Sequence, residues 1–541
     1  MINRQRRRVL AGMATAAAAL AAAMAWRRRA PAAPGAVDAS PVPPPPERFA
    51  RALRVPGRDG LMAELALNAP LTVHARDAAF AMFDGAPTRV WHYAASIGDR
   101  APANPLLRAR RGDTLDVRLV NDLAEATTIH WHGLAVDEAN DGSGLHPVAP
   151  GGEARYRYTI DNRAALYWYH AHPHGRTGRQ LQFGLAGPLL VEDDEERALR
   201  DRLGLAWGER DLPLFIADKQ VGDDNAIVYK DGADDWIGNR VLVNFTPEPH
   251  LDVVPGLYRL RIANASNARM LRLAFAAGDG LLPFRLIGTD GGLLAQPWLV
   301  DDVFVAPAQR VDVLVDFGTR AAASGAGERV LLRSLAYVAM ENEDESGAFA
   351  RDPMGDHPGA AAMGEAIDLM EFRIGGARPP RVDVPARLCA LPPPPAVDGW
   401  PVRAFRLRMD AEGRWFINDW NFHDTGHEPV FAVRRGTREV WEIRNSMTSM
   451  PHPIHLHGFA FRVVSRSISP PDVRARSVDA NGLGPQDLGV GDTVAVWPGE
   501  IVRIALDFSQ PFAGTQRYML HCHNLEHEDM GMMLTFAVVD A

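Results

Sequence analysis

The chain has 541 residues with ordinary globular hydrophobicity, which is enough for three or four domains. Its formal net charge is −9, and the first 34 residues hold seven arginines and no acid, so the rest is more acidic still. The acidic charge of the remaining chain argues against nucleic-acid binding. It is compatible with cationic substrates, or it simply keeps the protein soluble.

The N-terminus predicts an export signal over residues 1–34. Residues 6–8 are three arginines of twin-arginine type, and an apolar stretch of 16 residues follows at 11–26, which is short for a membrane span but not for a signal. Small-residue sites such as 30–32 come after three further arginines. We expect cleavage, export to a bacterial periplasm and no stable membrane insertion afterwards. An uncleaved anchor is the alternative.

Residues 35–59 contain a run of prolines and predict an extended tether. From residue 60 onward, short apolar runs alternate with Gly, Pro, Asn and Asp. Segments such as 115–119 and 156–160 alternate polar and apolar residues, as strands with one buried face do. The pattern predicts an all-β chain of sandwich or barrel units.

Internal repetition sets the number of units. Arg-Arg-Gly at 110–112 precedes His130 as the same tripeptide at 434–436 precedes His455, and a turn followed by an alternating strand ending in Asp occurs three times. We therefore predict three homologous sandwiches, with metal ligands only in the first and third. The expected boundaries are a first domain at 60–199, a middle domain at 200–378, a linker at 379–398 and a third domain at 399–541.

Four histidine pairs share the spacing His-x-His. They are His130/His132, His170/His172, His455/His457 and His521/His523. One such pair alone is more often a strand with two half-exposed histidines. Four pairs hold eight of the 18 histidines, so chance is a poor explanation. Because the pairs come from both terminal units, we expect a metal cluster at the interface between the first and third domains.

The last pair flanks a cysteine, with His527 five residues and Met532 ten residues after Cys522. A thiolate, imidazoles and a distant thioether suit copper that alternates between two oxidation states. If 520–523 is extended, successive side chains point to opposite faces. His521 and His523 would then face one metal site and Cys522 another, so one dipeptide step would connect the two sites.

These motifs, in their order and spacing, resemble the three-domain multicopper oxidases, the family of laccases, bilirubin oxidases and bacterial copper-efflux oxidases. The resemblance covers about residues 60–541. It implies three cupredoxin-like Greek-key β-sandwich domains and four copper ions, one of type 1, one of type 2 and two of type 3. The implied reaction couples one-electron oxidation of a donor to four-electron reduction of dioxygen to water.

The resemblance also assigns site residues. The type 1 ligands would be His452, Cys522, His527 and axial Met532. The type 2 copper would be held by His130 and His455. The type 3 pair would take His132, His170, His172, His457, His521 and His523. Asp141 and Glu528 match acidic positions that the family uses for proton delivery, and the bland alternative for each is a solvated loop carboxylate.

The sequence indicates the electron donor less clearly than it indicates the metal ligands. Met447, Met450 and the acidic segment 340–345 suggest a cuprous oxidase of copper tolerance, but Thr448 stands where such enzymes carry an acid. We therefore expect small phenolic or aromatic donors, with Cu(I) as the alternative. A copper nitrite reductase and a non-catalytic copper-binding protein are the remaining alternatives. We also expect a monomer with dioxygen as its partner.

Other residues receive simpler predictions. With Cys522 assigned to metal, Cys389 has no partner, so no internal disulfide is expected. The extra length at about 465–490 is expected to form a surface loop near the type 1 site that contributes to substrate choice. The remaining histidines are expected to be structural or surface groups: His74, His92, His146, His174, His250, His357, His423 and His427.

Overall fold

The structure is a computed structural model that describes residues 48–57, 60–96, 102–319, 328–339 and 357–540. The expected export signal and the acidic segment 340–345 lie outside these ranges. Within them, no helix is both long and apolar enough to cross a membrane.

The described residues consist mainly of strands, whose bounds are as follows. Strands β1 to β12 are Arg51–Ala52, Gly60–Leu61, Glu64–Ala66, Leu71–Phe80, Thr88–Ala95, Pro102–Ala103, Leu106–Arg110, Thr114–Asn121, His130–His132, Glu153–Thr159, Ala165–His170 and Ala186–Glu192. Strands β13 to β25 are Asp211–Lys219, Arg240–Val243, Thr246–Pro247, Pro249–Val253, Leu257–Asn264, Leu271–Ala277, Gly280–Leu281, Phe284–Thr289, Gly292–Val300, Asp302–Val305, Arg310–Asp316, Arg329–Ser334 and Ile367–Ile374. Strands β26 to β35 are Val402–Met409, Trp415–Ile417, Ala432–Arg434, Arg438–Arg444, His452–Leu456, Phe461–Ser467, Thr493–Val496, Ile501–Asp507, Gln516–Cys522 and Met533–Val539.

Helices are short and lie in the connections. Helices α1 to α6 are Glu138–Asp141, Thr177–Phe183, Asp194–Arg202, Phe422–Thr425, Pro471–Arg474 and Leu525–Asp529, and one 3₁₀ helix covers Pro485–Leu488.

The strands form three pairs of sheets, each pair enclosing one apolar core. The first pair is β10-β8-β4-β5-β6-β2 with β3-β7-β12-β11-β9. The second is β15-β14-β13-β17-β23-β20-β21 with β1-β16-β25-β24-β18-β19, where β22 also pairs with β18. The third is β27-β26-β29-β33-β31 with β28-β35-β34-β30-β32. The prediction of three β-sandwiches is confirmed, whereas the residues at which one domain gives way to the next stay a prediction.

The burial pattern explains why these segments are strands. In β8 every second residue is buried, as expected for a strand with one face on a core. β8 pairs with β10 in antiparallel and with β4 in parallel orientation, and β29 repeats this arrangement with β33 and β26. Parallel neighbours that are distant in sequence require crossover connections, as in Greek-key sandwiches.

The tether prediction is wrong for residues 48–57. β1 pairs in parallel with β16 of the middle sandwich, and Leu53 lies in that sandwich's core. The physical reason is that Phe49 and Leu53, the apolar residues on either side of this short strand, are buried, with 7% and 6% of their surfaces exposed. The proline run itself lies outside the described residues.

The insertion at 465–490 packs against the middle domain. Arg476 Nε lies 2.6 Å from Asp302 Oδ1, and Asp472 lies 3.7 Å from Arg272. These ion pairs join the insertion to β18 and β22. Its expected contribution to substrate choice stays a prediction.

Candidate metal centres

Strand registers bring the four histidine pairs together. His130 in β9 lies opposite His170 in β11, and His455 in β30 lies opposite His521 in β34. The first two histidines belong to the first domain and the last two to the third. All eight imidazoles of the pairs are buried at the contact between these domains.

The imidazole nitrogens face one another at short distances. His521 Nε2 lies 3.0 Å from His457 Nε2 and 3.4 Å from His172 Nε2. His132 Nδ1 lies 3.4 Å from His170 Nε2. His130, His455 and His457 also bring ligand atoms within 4.8 Å of one another, which is the spacing of groups that share a metal ion.

The outer nitrogens of most rings are held by the protein. His130 Nδ1 lies 2.8 Å from the carbonyl oxygen of Asp141, and His455 Nδ1 lies 2.9 Å from that of Asp492. His170 and His521 point Nδ1 at the carbonyl oxygens of residues 171 and 522, at 2.9 and 3.0 Å. Because a carbonyl only accepts, these Nδ1 atoms carry the proton and each Nε2 is a lone-pair acceptor.

The inward nitrogens therefore lack donors. His130 Nε2, His455 Nε2 and both nitrogens of His523 are buried without a hydrogen-bond partner. Acceptors facing acceptors in a buried space are unfavourable, because each loses its hydrogen bond to water. A cation among them removes the repulsion and satisfies every lone pair, and imidazole nitrogens are good ligands for copper. The eight histidines thus fit the copper cluster that the sequence predicts.

The protonation states agree with this fit. Burial, reinforced by the neighbouring imidazoles, holds the pKa of His132, His170, His455 and His523 well below the usual value. Burial also lowers the pKa of His457 to about 3, although Asp141 opposes the shift. Neutral imidazole is the form that binds metal.

A second group lies on the other side of the same strand. Cys522 Sγ lies 3.5 Å from His452 Nδ1 and 3.6 Å from His527 Nδ1, and these two nitrogens are 3.2 Å apart. Burial raises the pKa of the Cys522 thiol, so a thiolate at this position requires a cation beside it. Two imidazoles and one sulfur converging on one point fit a type 1 copper ion.

Met532 is positioned by backbone contacts with this group. Its N–H donates to the carbonyl of His527 at 2.8 Å, and its carbonyl accepts from the N–H of Cys522 at 3.0 Å. The side chain is fully buried in the apolar cluster that contains Cys522. Met532 is therefore placed next to Cys522, and its role as axial ligand stays a prediction.

The two predicted acids lie against the histidine cluster. Asp141 Oδ2 is 2.8 Å from His457 Nδ1, and Glu528 Oε2 is 3.2 Å from His521 Nδ1. Burial opposes their ionisation, but the adjacent histidines hold the pKa of both carboxyl groups below the usual range. Neither acid is the solvated loop carboxylate of the alternative reading, since each is 1% exposed.

Several residues near the two groups could not be found from sequence spacing. Asp492 Oδ1 lies 3.1 Å from His132 Nε2, and Thr493 Oγ1 lies 3.1 Å from His455 Nδ1. Near Cys522, the Trp415 ring centroid lies 4.3 Å from that of His527. The only sequence signal for Asp492 is its place at the start of a strand, which does not show that the strand runs beside the histidines.

The remaining histidines belong to none of the groups of converging ligand atoms, and no metal role was predicted for them. His174, the nearest along the chain, packs against Phe422 and His423 with ring centroids 4.5 and 5.1 Å away.

The two cysteines of the chain, Cys389 and Cys522, are both free thiols.

Comparison with protein families gives two matches. Both matched family models are described as multicopper oxidase, and they cover residues 82–196 and 403–541. The matches fall on the two domains that contain the histidine pairs, and the middle domain lies between them.

Individual relatives match over most of the chain. A bilirubin oxidase of Albifimbria verrucaria is 30% identical over 444 residues, covering 81% of this chain and 72% of that protein. A laccase of Bacillus subtilis is 28% identical, covering 84% of this chain and 91% of that protein. The crystal structure of a multicopper oxidase from Aquifex aeolicus superposes with a TM-score of 0.78 at 33% identity, covering 90% of this chain and 99% of that one.

Proposed function

Because the chain belongs to the multicopper oxidase family, we propose that it oxidises small phenolic or aromatic donors by one electron at a time and reduces dioxygen to water. The observation that carries this proposal is the set of buried imidazole nitrogens that face one another without a donor. A buried thiol with two imidazoles on the opposite side of the same strand supports it.

We assign four copper ions to these residues. His452, Cys522, His527 and Met532 would hold the type 1 ion, and His130 and His455 the type 2 ion. The type 3 pair would take His132, His170, His172, His457, His521 and His523. Copper in these sites supplies one-electron chemistry and the reduction of dioxygen, which is the acceptor that the family uses.

The protein positions the ligands and excludes water. Most outer ring nitrogens are fixed by a carbonyl or carboxylate oxygen, which orients the ring and sets its tautomer. Cys522 of one site is covalently adjacent to His521 and His523 of the other, so one peptide step joins the two sites. His521 Nδ1 also donates to the carbonyl of Cys522 at 3.0 Å. A rigid connection of this kind keeps the two groups at a constant separation.

Proton delivery falls to Asp141 and Glu528. The reduction of dioxygen to water consumes protons, and each carboxylate lies within reach of one imidazole of the cluster. Glu528 Oε1 also accepts a hydrogen bond from Thr177 Oγ1 at 2.6 Å, which leads away from the cluster towards α2. These groups would hold and release protons at carboxylate oxygens.

The edge of His527 offers a place for the donor. His527 Nε2 points away from Cys522, towards Asn524 Nδ2 at 3.2 Å and the buried Asp235 Oδ1 at 3.4 Å. Asp234 Oδ1 lies next to them at 3.7 Å, and its side chain, 52% exposed, is the one that solvent reaches. His452 Nε2 is instead covered by the buried Ser449 hydroxyl at 2.9 Å. A phenol that hydrogen-bonds to Asp234 would therefore reach the type 1 site through His527.

Oxidation of Cu(I) is the second candidate. Met447 is 52% exposed and lies two residues before Ser449, so a soft sulfur ligand is near the type 1 site. Thr448 supplies no carboxylate beside it, and relatives named laccase and bilirubin oxidase favour an organic donor. The acidic segment that could add ligands lies outside the described residues.

The deciding experiment compares the turnover of Cu(I) with that of a dimethoxyphenol at matched copper loading in an oxygen electrode. We expect faster oxygen uptake with the phenol. Faster uptake with Cu(I) would assign the cuprous oxidase role instead. Turnover of nitrite without oxygen uptake would indicate a nitrite reductase, and no turnover of any of them a non-catalytic protein.

We further propose that the protein is exported to the periplasm. The proposal rests on the arginine-rich, Ala-rich segment before residue 34. N-terminal sequencing of the mature protein should begin after this segment. Finding Arg8 still attached would contradict cleavage.

A further inference from the structure

The middle domain contacts the segment of the third domain that lies against the histidine cluster. This segment, residues 490–493, leads into β32. Gly291 N–H donates to the carbonyl of Val490 at 2.9 Å, and Thr289 Oγ1 donates to the same oxygen at 3.1 Å. Gln309 Nε2 donates to the carbonyl of Thr493 at 3.1 Å.

Arg310, the first residue of β23, makes the most extensive of these contacts. Its Nη1 donates to Asp492 Oδ1 at 2.8 Å, and its Nη2 pairs with Asp492 Oδ2, so the ion pair is bidentate. Its Nε donates to the carbonyl of Leu166 at 3.0 Å, in the strand that ends in His170. One guanidinium of the middle domain thus binds both the first and the third domain.

Asp492 transmits this contact to the cluster. Its Oδ1 lies 3.1 Å from His132 Nε2, and its carbonyl lies 2.9 Å from His455 Nδ1. Thr493 Oγ1 donates to Asp492 Oδ1 at 2.9 Å and lies 3.1 Å from His455 Nδ1. The imidazoles of His132 and His455 are stacked, with centroids 3.7 Å apart.

We propose that Arg310 is a positioning residue for the copper cluster, through which the middle domain fixes Asp492 and thereby orients His132 and His455. This inference rests on the proposed oxidase function. It gives the copper-free domain a part in building the cluster beyond separating its neighbours.

Burial makes the contact rigid. Arg310 and Asp492 are each 2% exposed, so water does not replace a lost hydrogen bond. Asp290 Oδ1 accepts from the Arg310 N–H at 2.7 Å, and the Asp290 carbonyl accepts from Arg310 Nη2 at 3.1 Å, which fixes the arginine from the backbone side. A planar fork with this many acceptors is specific to arginine, because lysine has one ammonium group and cannot bind both carboxylate oxygens and the Leu166 carbonyl in the same geometry.

The test is Arg310→Lys, which keeps the charge and loses the fork. Arg259→Lys is the matched control, because Arg259 is equally buried, lies in the neighbouring strand β17 and binds Asp312 and Glu196. Both variants are purified with copper. The measurements are copper content, the EPR spectrum, the visible spectrum and loss of copper to a chelator.

We expect Arg310→Lys to keep the blue absorption of the Cys522 site, to change the type 2 EPR signal and to lose cluster copper about 10-fold faster or more, as is typical when an outer partner of a metal ligand is removed. Arg259→Lys should lower the unfolding temperature without altering the EPR signal. If Arg310→Lys fails to fold, Asp290→Asn is the second variant. The Asp290 carboxylate accepts from the N–H groups of Arg310, Asp492 and Thr493, so the variant weakens the support of both sides of the ion pair and should alter the type 2 signal in the same direction.

Two outcomes are distinguishable. A wild-type protein that binds no copper would overturn the proposed oxidase function itself. A copper-replete wild type with a type 2 signal and chelator resistance that neither Arg310→Lys nor Asp290→Asn changes relative to Arg259→Lys would overturn the positioning role alone.

Discussion

At the residue scale, the orientation of each ring nitrogen carries the most information. A histidine whose Nδ1 donates to a carbonyl presents a lone pair at Nε2, and several such lone pairs meet in one buried space. Hydrogen-bonded core histidines would face donors instead. The geometry therefore separates a metal cluster from a group of structural histidines.

Asp141 gives the first prediction. In Asp141→Asn the amide oxygen still accepts from His457 Nδ1, so the copper content and blue colour should be retained, but the side chain no longer binds and releases a proton. Oxygen reduction should slow by about 100-fold. Asp137→Asn, at the N-cap of α1, is the control. Unchanged oxygen uptake in Asp141→Asn would remove this residue from the mechanism.

Asp234 gives a prediction about the donor. Asp234→Asn removes the carboxylate near His527 Nε2 but keeps an oxygen for the Trp415 N–H, so the type 1 site should stay intact. We expect kcat/KM for phenols to fall about tenfold, which corresponds to about 1.4 kcal/mol. Steady-state kinetics should show no such loss in Asp231→Asn, which lies in the same loop and pairs with Arg176. Equal kcat/KM values for Asp234→Asn and the wild type would show that the phenol does not bind at Asp234.

At the scale of elements, the ending His-x-His-Gly has a steric explanation. Gly133 adopts φ +82°, and a Cβ there would lie 2.3 Å from Asp492 Oδ2 and 3.0 Å from Arg310 Nη2. Gly458, after the other such pair, adopts φ +72° and would clash with Tyr518. Both glycines let the chain turn away from the cluster where other side chains approach closely, from the neighbouring domains at Gly133 and from the same domain at Gly458.

Gly133→Ala tests this account. The variant should lose more than about 3 kcal/mol of unfolding free energy, because backbone strain adds to a clash with two buried charged groups. Gly112→Ala is the control, since Gly112 has φ +94° and open space around it. It should lose only about 1 to 2 kcal/mol from the left-handed backbone. Chemical denaturation of both proteins gives the comparison, and equal losses would show that the clash is relieved.

The sequence predicted the parts of the site that follow from local spacing. The four histidine pairs and Cys522 lie on or beside strands, where alternation alone decides the facing side. Asp492 and Arg310 escaped prediction, because their proximity to the histidines depends on how three sandwiches pack. The strand at residues 51–52 was missed for a similar reason, since its partner lies about 200 residues away.

At the scale of the whole molecule, buried ion pairs tie the middle domain to α3. Glu196 in α3 lies 2.6 Å from Arg259 Nη1 and also pairs with Arg261. Burial opposes ionisation, but the two arginines lower the pKa of Glu196 to about 2. The carboxylate therefore stabilises the fold above its unfolded pKa of about 4.5, and this contribution is lost as the pH falls through about 2.

Glu196→Gln tests the pH dependence. At pH 7 the variant should be less stable than the wild type by about 3 kcal/mol, because two buried arginines lose their partner charge. The difference should shrink below pH 4.5 and vanish near pH 2. Glu209→Gln, an exposed acid of the same domain, should change little at either pH. Denaturation curves from pH 7 to pH 2 give the measurement, and a difference that is constant with pH would contradict the assignment.

The molecule as a whole is organised around a buried histidine cluster that its first and third domains share, which we propose holds copper. The most direct measurement of that claim is the copper content of the purified, copper-loaded protein together with its visible spectrum. The account predicts four copper ions per chain and an intense blue absorption that disappears in Cys522→Ser while the cluster copper remains. A protein that binds no copper, or binds it without blue absorption, would contradict the account.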